Sequence, residues 1–118
     1  MNIEPRCALF GSRIADDGSV DRKRFQAVVR NSLAVLREEG LFAFYLYLRY
    51  RWGEGGQVIW EQIKSLWQDE RTGPLWKEGL EDREGVIALT ENLYELVLAR
   101  EVAERTLIYA LYGLRAEG

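Results

Sequence analysis

Between Gly40 and Gly53 lies a stretch that is hard to leave in water. From Leu41 to Leu48 the chain has no charge, no glycine and no proline, and it is rich in aromatic rings. In a helix, Leu41, Phe44, Tyr45, Leu48 and Trp52 follow the i, i+3, i+4, i+7, i+11 pattern and form one stripe. Phe42 and Leu46 lie to one side of it, Ala43 and Tyr47 to the other. A helix apolar all round is a buried one, and this one is too short to span a bilayer. The aromatic content would also suit a strand. The length between the bracketing glycines and the helical segment before it favour a helix. The expectation is an all-α, compact single-domain bundle of five or six helices around this buried aromatic-rich helix.

A chain of 118 residues fits one domain and is long enough to bury a core without metal or disulfide support. The single cysteine, Cys7, excludes an internal disulfide and suits a reducing compartment. No apolar run reaches membrane-spanning length, and the N-terminal residues lack a signal peptide's pattern, so the expected location is cytoplasmic. Histidine is absent. That removes Ser-His and Cys-His nucleophile pairs, an imidazole general base and His-containing zinc sites. The reading is of a protein that is not an enzyme and needs no cofactor or metal.

The net charge of −3 hides a segregation. From Arg22 to Arg51 there are seven cations against two anions, a segment of +5, while the remainder carries −8. Such a split suits a face for a polyanion or an acidic partner. The competing reading is that neighbouring helices neutralise each other within the molecule.

In chain order, residues 1–20 read as irregular, broken by Pro5, Gly11, Gly18 and the Asp16-Asp17-Gly18 turn signal. Residues 21–118 form the helical body. The first clear helix starts near Ser19 or Asp21, either of which can cap it, and buries Phe25, Val28, Val29, Ser32, Leu33 and Leu36. It ends at Gly40. After the Leu41 helix and the Gly53–Gly56 turn, a third helix is expected from Gln57 to Gln68. A short fourth follows from Leu75 to Leu80, with Pro74 in its first turn and Trp76 as its anchor. Beyond a polar Glu81–Gly85 link, Leu89, Leu93, Leu96, Arg100, Ala103, Leu107, Ala110 and Leu114 alternate by four and three. That predicts one long helix or two in close succession.

The best candidate site is basic. Lys23, Arg30 and Arg37 recur every seven residues and share a strip, and Arg49 and Arg51 follow nearby. Guanidinium forks suit phosphate. Tyr47 and Tyr50 stack on bases if they reach the surface, though such rings also serve a core well. The carboxylates Glu81, Asp82 and Glu84 are candidate ligands for a divalent ion, with a solvated loop as the plainer reading.

The layout resembles a known family. A long helix ends in the Gly-Leu step Glu39-Gly40-Leu41, followed by FAFYLYL (Phe42 to Leu48), then the Trp-bearing VIWEQIKSLW (Val58 to Trp67), then a Leu-rich C-terminal helix from Leu89-Thr90-Glu91. This is similar to the small helical subunit of the type III-B CRISPR effector complex, the Cmr small subunit family, over about residues 25–115. The resemblance implies a non-catalytic subunit in antiviral defence. Its partners would be further copies of itself, other subunits of the complex and the guide/target RNA backbone, with no small-molecule substrate. It would line the RNA channel with Lys23, Arg30, Arg37, Arg49 and Arg51. The alternatives are a helical adaptor that binds proteins and no nucleic acid, and a helix-turn-helix DNA binder. The latter needs a polar, exposed recognition helix, and the second helix here is too apolar.

Overall fold

Six α-helices and two 3-10 turns make up the regular structure of residues 2–117, which the computed structural model describes; no strand occurs among them. The helices are α1 (Glu4–Ala15), α2 (Arg22–Glu39), α3 (Leu41–Tyr50), α4 (Gly56–Gln68), α5 (Asp82–Thr90) and α6 (Leu93–Glu117). They pack as one all-α bundle. No described helix is long and apolar enough to cross a membrane.

The first correction concerns residues 1–20, most of which are helical. Pro5 sits in the first turn of α1, where a missing N–H costs nothing. Gly11 is a packing residue rather than a breaker. A Cβ there would stand 2.8 Å from Tyr109 Cβ and 2.9 Å from the Thr106 carbonyl oxygen. Cys7 faces Val102, Gly11 faces Thr106 to Ala110, and Ala15 faces Gly113, so α1 runs parallel to α6 at close backbone approach. The Asp16-Asp17-Gly18 turn does form, with Asp17 accepting from the Ser19 N–H at 2.9 Å. Arg6 pairs with Asp69 and ties α1 to the end of α4.

Asp21 caps α2, accepting from the Arg24 N–H at 3.1 Å. The residues expected inward are the buried ones. Gly40, at φ +97°, ends α2 and opens α3 with no intervening loop, a conformation that favours glycine. On α3, Leu41, Phe44, Tyr45 and Leu48 are buried. This helix is buried on one face, not all round: Leu46 is 44% exposed, and Phe42, Ala43 and Tyr47 are half-buried. The reason is that α3 has neighbours in α2, α4 and α5 and solvent beyond them.

An aromatic cluster fills the space between α3, α4 and the segment after it. Tyr45 meets Trp60 edge-on at 5.0 Å, and Trp60 meets Trp67 at 5.7 Å and Trp76 at 6.0 Å. The expected helix from Leu75 to Leu80 is absent. The Leu75 and Trp76 N–H groups both donate to the Trp67 carbonyl instead, and burying the Trp76 indole outweighs the local helical pattern. The polar link is also corrected, because Asp82 to Gly85 form the first turn of α5. Gly85 lets Trp76 in, since a Cβ would lie 2.0 Å from the indole ring.

The long periodic segment is two helices, separated at Glu91–Asn92, where Asn92 accepts from the Glu95 N–H at 3.0 Å. With 25 residues, α6 is about 37 Å long at 1.5 Å per residue, matching the 38 Å long axis of the molecule. It contacts α1, α2, α4 and α5. Its buried positions are Ala99, Val102, Ala103, Thr106, Leu107, Ala110, Leu111 and Leu114. Leu93, expected in the seam, is 76% exposed, and Val97 one turn on is 55% exposed. The antiparallel α2 explains this. Arg22 donates to the Leu114 carbonyl at one end, and Arg100 donates to the Leu36 and Arg37 carbonyls at the other, at 3.2 and 3.3 Å. The last turn of α2 therefore lies opposite Arg100, a cation at its negative end. The first two turns of α6 project past it.

Candidate nucleic-acid interface

Helix α2 forms a ridge with a groove on each side. Its inward stripe fixes the phase, and Lys23, Arg30 and Arg37 fall on the flank toward α6, all exposed. Lys23 and Arg30 make no ion pair among the described residues. Arg37 donates from Nε to Glu104 Oε1 on α6 at 2.7 Å, both side chains substantially exposed.

The α2–α3 groove holds about 210 Å³ and is lined by Arg24, Asn31, Tyr47, Arg51 and Glu54 over Ala27 and Val28. Arg51 donates to Glu54 at 3.0 Å and lies 4.8 Å over the Tyr50 ring. The Glu54 hydrogen bond is the main reason its guanidinium is held above its ordinary value, against burial. The α2–α6 groove holds about 200 Å³ and is lined by Leu33, Arg37, Ile108, Leu111, Tyr112 and Arg115.

The five basic residues picked from the sequence thus do not form one strip. Lys23, Arg30 and Arg37 share one flank of α2, and Arg51 joins the groove on the other. Arg49 lies on the opposite side of α3, 4.5 Å over the Trp52 ring, and faces α4 and α5. Arg24, Asn31, Tyr112 and Arg115 complete the grooves and were not among the candidates. Arg115 follows the last apolar residue of the seam, so only the antiparallel packing of α2 on α6 places it beside Leu33 and Arg37.

Arg49 borders a cavity of about 700 Å³ with Tyr45, Lys64, Leu80 and the first turn of α5. Asp82 there ties α4 to α5. Asp82 accepts from Trp60 Nε1 at 2.9 Å and from Lys64 Nζ at 2.7 Å. Burial pushes its carboxyl up, but those two donors and the Lys64 and Arg49 charges outweigh it and hold the group below the usual carboxylate value. Among the described residues no three His, Cys, Asp or Glu side chains gather as a metal-binding group.

What the ridge offers chemically is polyanion contact. Exposed guanidinium and ammonium groups position a phosphate backbone without reading sequence, and open aromatic rings accept bases. No family model, curated protein or solved structure matches the chain.

Proposed function

We propose that this chain is a non-catalytic small subunit of a type III-B CRISPR effector complex, of the Cmr small subunit family. In this reading it lies along the guide/target RNA, beside other subunits and further copies of itself. The observation that carries the reading is the state of α2: Lys23 and Arg30 stand exposed with no ion pair among the described residues. Four arginines border the grooves on either side. Internal neutralisation accounts for Arg37 and Arg51 and leaves Lys23 and Arg30 available to phosphate.

A second reading, a helical adaptor that binds proteins alone, draws on the overhang of α6. Leu93, Tyr94 and Val97 are all more than half exposed there, and Ile87 of α5 is 42% exposed. Exposed apolar patches mark interaction sites, and a subunit of an assembly needs one too.

Purification of the native complex separates the two readings. The proposal expects the chain to arrive with RNA and larger subunits. Lys23→Ala with Arg30→Ala should weaken RNA binding equally for unrelated sequences. Losing two contacts on single-stranded RNA makes the log-affinity against log-salt slope shallower by about 1.4. A chain that arrives with protein partners and no nucleic acid, and whose double variant leaves binding unchanged, is the adaptor.

A further inference from the structure

We infer that the groove between α2 and α6 takes one unstacked base of a single-stranded RNA on the face of Tyr112, its flanking phosphates held by Arg37 and Arg115. This rests on the RNA-contact reading and assigns a base-stacking site to a surface otherwise read as contacting backbone alone.

Three observations converge on it. The first is an open ring. Tyr112 is 65% exposed, and no ring or cation lies over it among the described residues. The other strongly exposed tyrosine beside a basic groove, Tyr50, is already covered by Arg51 at 4.8 Å. A free aromatic face on a basic surface is the element that single-strand binders use, because every base has a π-face to offer.

The second is size and lining. At about 200 Å³ the groove lies below the range of ~300–1,000 Å³ for pockets that enclose drug-sized ligands. It admits one planar ring system and leaves sugar and phosphate outside. Its floor of Leu33, Ile108 and Leu111 offers an apolar surface to the base.

The third is charge. Arg37 and Arg115 both stand among the lining residues, so a strand crossing the groove meets two guanidinium groups. Arg37 now holds the Glu104 carboxylate. That pair is solvent-exposed and therefore weak, so a phosphate oxygen can take the carboxylate's place at the same donor. An acidic peptide would satisfy the two arginines but bring no planar ring to the tyrosine face.

The test compares a short oligouridylate with an abasic ribose-phosphate oligomer carrying the same number of phosphates. A polyglutamate peptide is the third probe. Each is titrated into the full chain at low salt and followed by NMR shifts. We expect the oligouridylate to bind roughly tenfold tighter than the abasic oligomer, a preference typical of one base stack. Tyr112→Ala should erase that preference and Tyr112→Trp should keep it, with unchanged melting in both. Equal binding of the two oligomers, indifferent to Tyr112, overturns the groove assignment and leaves the backbone-contact reading standing. Binding of neither overturns both. Polyglutamate binding that depends on Tyr112 gives the groove to a protein ligand and overturns the inference.

Discussion

The indole rings of Trp67 and Trp76 lie parallel, 4° apart in plane and 6.2 Å between centroids. Trp67 closes α4, and the Trp76 N–H is bonded to the Trp67 carbonyl, so backbone and ring contacts fix the same geometry. Gly85 completes the arrangement by leaving room for Trp76. Gly85→Ala should therefore destabilise by about 3 kcal/mol, the upper part of the usual overpacking range, read from urea unfolding by tryptophan fluorescence. Gly53→Ala, which meets nothing within 4 Å, should stay within about 0.5 kcal/mol. Equal effects at both positions would show that Trp76 is not seated against α5.

Asp82 carries a pH signature. Its carboxyl is held below its ordinary value, so its stabilisation is present above the unfolded-state value and is lost as pH falls through the folded value. Asp82→Asn keeps an acceptor for Trp60 but loses the charge facing Lys64, and should cost about 1–2 kcal/mol at neutral pH. The gap between variant and parent should close below about pH 4, where a free aspartate protonates. Asp69 is likewise lowered, burial being outweighed by the Arg6 hydrogen bond and charge, and is unchanged in both proteins. A gap constant across pH refutes the assignment.

Glu104 holds Arg37 with a carboxylate where the proposed interface needs a phosphate. Glu104→Gln removes one repulsive charge and frees the guanidinium, so RNA affinity should rise by about two- to fivefold at low salt and the salt slope should steepen by up to roughly 0.7. The exposed pair should cost under about 1 kcal/mol of stability. Unchanged affinity removes Arg37 from the interface.

The overhang of α6 gives a prediction in which stability and association part company. Leu93→Lys with Val97→Lys should alter the unfolding free energy by less than about 1 kcal/mol, as exposed positions do. The same pair in a buried seam would cost several kcal/mol. Loss of co-purifying protein partners is the second readout, and retention of all partners would show that this face docks nothing.

The stripes on α2, α3 and α4 were legible because each helix buries one face with large apolar residues at helical spacing. Lys23, Arg30 and Arg37 were also legible as a strip, since a seven-residue repeat stays on one side of a helix. Three features were not legible. Gly11 reads locally as a breaker, and its use as a contact point depends on a helix about a hundred positions later. Trp76 leaves a helical pattern for a ring contact that only the tertiary fold supplies. The spacing of Arg49 and Arg51 puts them on opposite flanks of a helix, but only the tertiary fold decides that one flank meets α4 and α5 and the other meets α2. Tyr112 and Arg115 carried a weak signal: they face a groove only because α2 packs antiparallel on α6.

The parallel seam of α1 on α6 sets an order of events during synthesis. On the ribosome, α1 emerges with Cys7, Phe10 and Ile14 ready to be buried and their partner helix still untranslated. Long-range contacts of this kind slow folding, because a long loop must close before any burial rewards it. The helices between can pair locally as hairpins, α2 with α3 and α3 with α4, while α1 waits. Chains cut short before Ala99 would expose that apolar face and the indole N–H of Trp67, which bonds the Ala99 carbonyl at 3.2 Å. Such fragments are the kind that chaperones hold and proteases clear.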